Sequence, residues 1–320
     1  MYSQPVMTGG EKPSSDQLSG GPWGLTVVSI QPGGGPTVLR ILLGSQLRNL
    51  RESRGITRED AGYTIRASGS KISRMELGRV SFKERDITDL LTLYGVDDPG
   101  ERAALVDLAR QANSPGWWHK FSDVLPDWFQ VYVGLEEAAS LIRIYELQFV
   151  PGLLQTADYA RAVVQLGQRG APRDEIEHRV SLRLERQRVL ARRSPPRVWV
   201  VVDEAALRRP IGGPEVMRGQ IERLIEAGKE PNITVQVMPF RFGGHAAESG
   251  PFTIMRFPDL DLPDVVYIEQ LTGALYLDKR EDVERYTEVM ERLSVESEPP
   301  EHTPDILNRI LEESGDEQLL

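Results

Sequence analysis

Residues 56–79 read ITREDAGYTIRASGSKISRMELGR, and the fold of the N-terminal third turns on that stretch. Thr57 stands where a helix would begin. Glu59 and Asp60 follow in what would be its first turn, where acidic side chains meet the positive end of the helix dipole. Ser68 repeats the pattern as a second cap. After it, Ile72 and Met75 fall three residues apart on one side, Ser70, Lys71 and Arg74 lie among them on the polar side, and Gly78 ends the run. Two short helices joined by a tight turn, with Ile65, Ile72 and Met75 in the seam and Gly62 leaving room for close approach, make a helix-turn-helix. In that arrangement the second helix lies in the DNA major groove and presents its N-terminal side chains to base edges.

The flanks extend the pattern. Leu39, Leu43, Leu47 and Leu50 recur at helical spacing and predict a helix of about 15 residues that stops at Gly55. Ile87, Leu90, Leu91 and Tyr94 mark a helix over 84–94, and Pro99 stands near the start of a fifth over 100–112. The domain division that follows is a Gly- and Pro-rich disordered arm (1–36), a helix-turn-helix domain (37–113), an aromatic linker (114–130), a mixed regulatory and partner-binding domain (131–295) and an acidic tail (296–320) that holds one helix, 304–313. Trp117, Trp118, Trp128 and Phe129 are too apolar for a free tether and are expected to dock one domain on the other. Helices are expected over 131–145, after the Pro-Gly turn at 151–152, and over 172–193. Beyond them the period changes to that of strands, at 197–204, 232–240, 251–258 and 264–271, with helices at 214–228 and 279–293. The expected fold class is therefore multidomain, α and α+β: a five-helix helix-turn-helix domain, then a mixed domain with a helical first half and a β-sheet with flanking helices.

The formal net charge is −10, but residues 39–85 carry eleven Arg or Lys against five Asp or Glu. A basic module on an acidic body points to a local polyanion site, with a merely solvated helical surface as the alternative. An apolar content of 40% and a charged content of 27% are those of a globular protein. No apolar run approaches the roughly 18 residues of a membrane span, and the N-terminus lacks a signal-peptide pattern. Cysteine is absent, which excludes disulfides and thiolate zinc sites. His119, His178, His245 and His302 lie far apart, so neither a metal nor a cofactor is expected, and no phosphate loop or nucleophile elbow is present. The expected setting is the cytoplasm, at the nucleoid, without a membrane partner.

The polar side of the second helix has suitable chemistry. Lys71 and Arg74 can donate to guanine O6 and N7, and a bidentate pair discriminates by about 1–3 kcal/mol. Ser68, Ser70 and Thr57 can bond bases or phosphates, and Arg79 and Lys83 can neutralise phosphates.

The stretch resembles the Cro/repressor-like (XRE-type) helix-turn-helix family in its Thr/Ser caps, its small residue at Gly62 and its "ISR-apolar-E-x-G-R" run. The resemblance implies base contacts at Ser68, Gly69, Ser70 and Arg74, and at Arg58, where the family usually has Gln. It implies a buried ion pair between Arg51 and Glu76. Arg66 takes the turn position where Gly is usual, among the expected phosphate contacts Thr57, Arg66, Arg79 and Lys83. If that position needs positive φ, the strain is about 1–2 kcal/mol.

Further on, "GWWHKFSDVLPDWF", "VYVGLEEAASLIRIYELQFVPGLLQTADYARAVV", "RVWVVVDEAALRRPIGG", "ITVQVMPF" and "SGPFTIMRFPD" are similar to the C-terminal domain of a group of actinobacterial regulators, long described as of unknown function and later as antitoxin-like. That resemblance, over roughly 40–293, implies a transcriptional regulator encoded beside a very small partner protein that binds the C-terminal domain and modulates DNA binding. Dimers are expected, because one recognition helix covers only a few base pairs.

The C-terminal half has few site signals of its own. "RFGGHAAESG" (241–250) is a Gly-rich loop whose His245 and Glu248 could meet a ligand or partner, or simply face solvent. Asp203 and Glu204 end a strand, where carboxylates can be catalytic or can cap the next helix. No catalytic residue is expected. An enzyme domain targeted to DNA would need Asp203, Glu204, His245 and Glu248 in one pocket, and an antitoxin-like protein-binding module with little DNA affinity is the other alternative.

Overall fold

The computed structural model describes residues 35–258 and 262–316. The predicted arm lies outside the described residues up to 34. Its last two already start a helix: Gly35 is the N-cap and Pro36 the first residue of α1 (Pro36–Ser53), a position where the missing N–H of proline costs nothing. Leu39, Leu42, Leu43 and Leu47 turn the apolar side of α1 inward. Helix α2 (Arg58–Thr64) is capped by Thr57, which accepts from the Asp60 N–H at 3.1 Å, and α3 (Gly69–Glu76) by Ser68, which accepts from the Lys71 N–H at 3.3 Å. Helices α4 (Glu84–Leu93) and α5 (Pro99–Ala112) complete the bundle. A Cβ on Gly62 would lie 2.7 Å from the Ala67 carbonyl oxygen, so the turn between α2 and α3 closes only over glycine there.

The aromatic segment is not the linker it was expected to be. Trp118, Phe121, Val124 and Leu125 are buried together with Val133 of α6 (Asp127–Ala138) and Leu182 of the charged helix Arg173–Arg186. The rings find their apolar partners in the C-terminal half itself. One contact between the halves is α1 against α6, where Gly134 receives the buried Thr37: a Cβ at Gly134 would overlap that side chain.

The C-terminal half is a six-stranded mixed sheet in the order β3-β2-β1-β4-β5-β6. Its strands are β1 (Leu141–Glu146), β2 (Arg197–Asp203), β3 (Ile233–Met238), β4 (Phe252–Arg256), β5 (Val265–Gln270) and β6 (Gly273–Leu277). Strand β1, in the middle of the sheet, falls where the end of a helix was expected. It pairs with β2 in parallel and β4 antiparallel, and hydrogen bonds along both edges outweigh a short helical period. Strand β6 was also unexpected. The helices are α7 (Ala157–Gly167), α8 (Arg173–Arg186), α9 (Glu204–Arg208), α10 (Pro214–Ala227), α11 (Arg280–Glu296) and α12 (Thr303–Asp316).

One sheet face packs Tyr145, Val201, Phe252, Ile254 and Val266 on Met290 and Leu293 of α11. The last segment is no loose acidic tail. The Glu298 N–H donates to the Val237 carbonyl at 3.1 Å and the Thr303 hydroxyl to the Val235 carbonyl at 2.7 Å, so it covers the outer edge of β3, and Leu307 and Ile310 of α12 are buried.

Arg66 adopts φ +54°, the one non-glycine residue with positive φ among those described. The strain of about 1–2 kcal/mol exceeds the extra unfolded-state freedom of glycine, about 0.5–1 kcal/mol. Arg66→Gly is therefore expected to raise stability by about 1 kcal/mol, read as a higher urea midpoint at unchanged slope.

Candidate functional site

The recognition helix α3 is held by one buried carboxyl group. Glu76, in its last turn, points inward and accepts from Arg51 of α1, Nε to Oε1 at 2.5 Å and Nη2 to Oε2 at 3.2 Å. Arg58 of α2 donates from Nε to Glu76 Oε2 at 2.9 Å. The hydrogen bond that Arg51 donates to Glu76 is the main reason its pKa lies above the ordinary value. Three helices are thus pinned at one point.

This geometry redistributes the residues expected at DNA. Arg58, expected at a base edge, is drawn in to Glu76, because a buried carboxylate costs several kcal/mol unless it is paired. Lys71 is likewise turned to the buried Asp86 of α4, with Nζ–Oδ2 at 2.6 Å. Gly69 lies beneath the Glu59 carboxyl group: a Cβ there would be 2.8 Å from Oε1. Ser68, Ser70 and Arg74 remain exposed together on the outer side of α3, uncovered by the C-terminal half. Among the described residues, the Arg74 side chain has no hydrogen bond or ion pair.

Of the expected phosphate contacts, Arg66 and Lys83 are exposed. Thr57 is exposed too, with its hydroxyl donating to Asp60 Oδ2 at 2.7 Å. Arg79 is engaged elsewhere. Its Nη2 donates to the Tyr276 carbonyl on β6 at 3.2 Å, and its guanidinium stands 5.9 Å from the Tyr276 ring centroid. Tyr276 in turn meets Tyr267 at 5.2 Å, Tyr267 meets Tyr132 at 4.3 Å, and Tyr132 stacks on Phe129 at 5.1 Å. Asp86, Glu59 and Tyr276 were missed in the sequence. An acid in the apolar register of α4 was the only available signal for any of them.

The loop candidates separate. His245 Nε2 lies 3.0 Å from the Tyr145 hydroxyl and 3.7 Å from Asp203 Oδ2, whereas Glu248 is on the surface. Asp203 caps α9 by accepting from the Ala205 N–H at 2.8 Å, and Glu204 accepts from Arg208 at 2.6 Å and from the Phe240 N–H at 2.8 Å. Asp203 and His245 meet, but the four residues do not share a pocket.

A cavity of about 710 Å³ opens on the sheet face opposite α11, between that face and helices α6, α7 and α8. The Tyr132 and Tyr267 rings are in its wall. Arg186 is buried there as a bidentate pair with Glu136, at 2.8 and 2.7 Å. Among the described residues the Arg183 guanidinium has one hydrogen bond, to Gln155 Oε1 at 3.1 Å; burial, first, brings its pKa down to about 10 against the opposing field of Glu269. Glu146, at the end of β1, lines the cavity, and its carboxyl group has no hydrogen bond or ion pair among the described residues. Its carboxyl is pushed up to about 8, by burial first and by the Glu269 carboxyl group second.

Residues 42–105 match the family described as a helix-turn-helix domain, which makes the N-terminal bundle a DNA-binding module of the kind found in regulators. Residues 129–309, more than half of the chain, match the family described as domain of unknown function DUF5753, and the chain belongs to that family. No curated protein and no solved structure matches it. Among the described residues, no helix is long and apolar enough to cross a membrane.

With its pKa raised from the ordinary 4.5 to about 8, Glu146 keeps its proton in the folded chain where the unfolded chain has lost it. The stability tied to that proton is complete below about pH 4.5 and is lost as pH rises to about 8. Glu146→Gln has nothing to titrate. It is expected to be more stable than the parent by a margin that widens between these limits, by at most roughly 1.4 kcal/mol per pH unit, as read from urea titrations across the range.

Proposed function

We propose that this chain is a sequence-specific transcriptional regulator of the XRE kind whose C-terminal domain receives a small partner protein or a ligand that modulates DNA binding. The observation that carries the reading is the outer side of α3: Ser68, Ser70 and Arg74 are exposed, and the Arg74 side chain has no partner among the described residues. That side chain is free to take a guanine edge, while Lys83 and Arg66 lie where phosphates would pass. The chain acts as a homodimer, since a single α3 offers too few base contacts for high affinity. It acts by binding, not catalysis: Asp203 is used as a helix cap and Glu204 is satisfied by Arg208 and the Phe240 N–H.

Arg79 supplies a means of control. A guanidinium bound to the Tyr276 carbonyl cannot hold a phosphate at the same time, so a partner or ligand that favours the docked arrangement weakens DNA binding, and one that favours release strengthens it. An antitoxin-like module with little DNA affinity is a second reading, favoured by the fact that Arg58, Lys71 and Arg79 are all occupied internally.

Titration of the full chain against a randomised DNA pool, followed by anisotropy on the selected site, tests the proposal. Arg74→Ala is expected to lose about 1–3 kcal/mol on the selected site and to relax specificity there. The reading fails if the parent binds no sequence better than bulk DNA, or if Arg74→Ala keeps full affinity and selectivity. Arg79→Ala is expected to flatten the plot of log affinity against log salt by about one unit. A parent whose affinity does not change with salt would favour the second reading.

A further inference from the structure

The cavity on the β1–β4–β5 face holds an unbalanced set of charges. Two of its arginines are paired with carboxylates, Arg186 with Glu136 and Arg179 with Glu175 at 2.9 Å, while Arg183 has the neutral Gln155 amide at 3.1 Å and the field of the Glu269 carboxyl group. The Glu146 carboxyl group has no such pairing among the described residues. Tyr145 pairs with Phe252 and Thr253 with Tyr267, so the continuing register sets Glu146 and Glu269 in one row at the strand ends, two strands apart, a separation of about 10 Å at the usual strand spacing. Both line the cavity, as do the aromatic walls Trp128, Phe129, Phe149 and Tyr267. Glu269 is positioned by the Tyr267 hydroxyl, which donates to Oε2 at 2.9 Å. At the mouth, Leu271 in the β5–β6 turn is fully exposed.

We infer that this cavity binds a small organic cation, a protonated amine on an aromatic or aliphatic body, with the nitrogen between Glu146 and Glu269 and the body against the aromatic walls. The volume suits such a molecule, since small-ligand sites run from about 300 to 1,000 Å³. A bound cation would favour the ionised form of Glu146, whose carboxyl group has no cationic partner among the described residues, and the rings around it add attraction to its positive charge. An anion pairing with Arg183 would have to lie in the same cavity as the Glu146 and Glu269 carboxyl groups, an arrangement that the acid probes test. The inference deepens the proposal that the C-terminal domain receives an effector, and as a regulatory site it rests on that proposal. The wall that would sense the ligand includes Tyr267, which touches Tyr276, the docking partner of Arg79.

Calorimetric titration of the full chain without DNA tests the site. The probes are phenethylamine and tryptamine, each set against its acid counterpart, 3-phenylpropanoate and indole-3-propanoate. Both amines are expected to bind saturably, at least about tenfold more tightly than the acids, and Glu146→Gln is expected to weaken them by about tenfold or more. Glu269→Gln is expected to weaken them as well. Cooperative melting of both variants separates a lost site from a lost fold. The inference is overturned if the acids bind as well as the amines, if Glu146→Gln binds the amines like the parent, or if neither amine saturates at concentrations on the order of 10 mM. Amine binding that leaves the DNA affinity of the full chain unchanged would support the site and overturn its role as an effector site.

Discussion

Glu76 is the point on which the N-terminal domain depends. It is a carboxylate in the bundle interior, and it is tolerable there only because Arg51 reaches it from α1 and Arg58 from α2. One ion cluster therefore sets how α3 sits on the bundle. It also determines which cations remain for a partner. Arg58 and Lys71, paired with Glu76 and Asp86, keep part of their side chains exposed but are no longer unpaired, so the unpaired groove-facing groups of α3 are two serines and Arg74. The basic balance of the domain overstates the charge that it can present outward.

In the C-terminal half the corresponding constraint is the central position of β1. Because β1 pairs on both sides, the sheet has two fully formed faces. One is closed by α11 on an apolar cluster. The other meets α6, α7 and α8 with arginines and carboxyl groups mixed among aromatic rings, and there the packing leaves an open volume. At the β3 edge the final segment completes the sheet, while at β6 the Tyr276 carbonyl accepts from Arg79. Contacts between the halves include Thr37 on Gly134 and Arg79 on β6. The second contact joins a line of touching aromatic rings that ends in the cavity wall.

The periodicity and caps of residues 56–79 determined the helix-turn-helix by themselves. Thr57 and Ser68 are caps because a side-chain oxygen two or three residues from a free N–H satisfies it whatever surrounds it. Four strands and most helices of the second half were legible for the same reason. Strand β1 was not, since six residues without turn signals are ambiguous until strands far along the chain come to lie beside them, and β6 likewise depends on β5. Which charges are paired within the chain was decided only by the tertiary structure: Arg58 with Glu76, Lys71 with Asp86, and Arg79 with a carbonyl 197 residues away. So was the solitary position of Glu146. Capping and period act within a turn or two of chain, whereas the pairing of charges depends on burial and on neighbours that only the packed fold brings together.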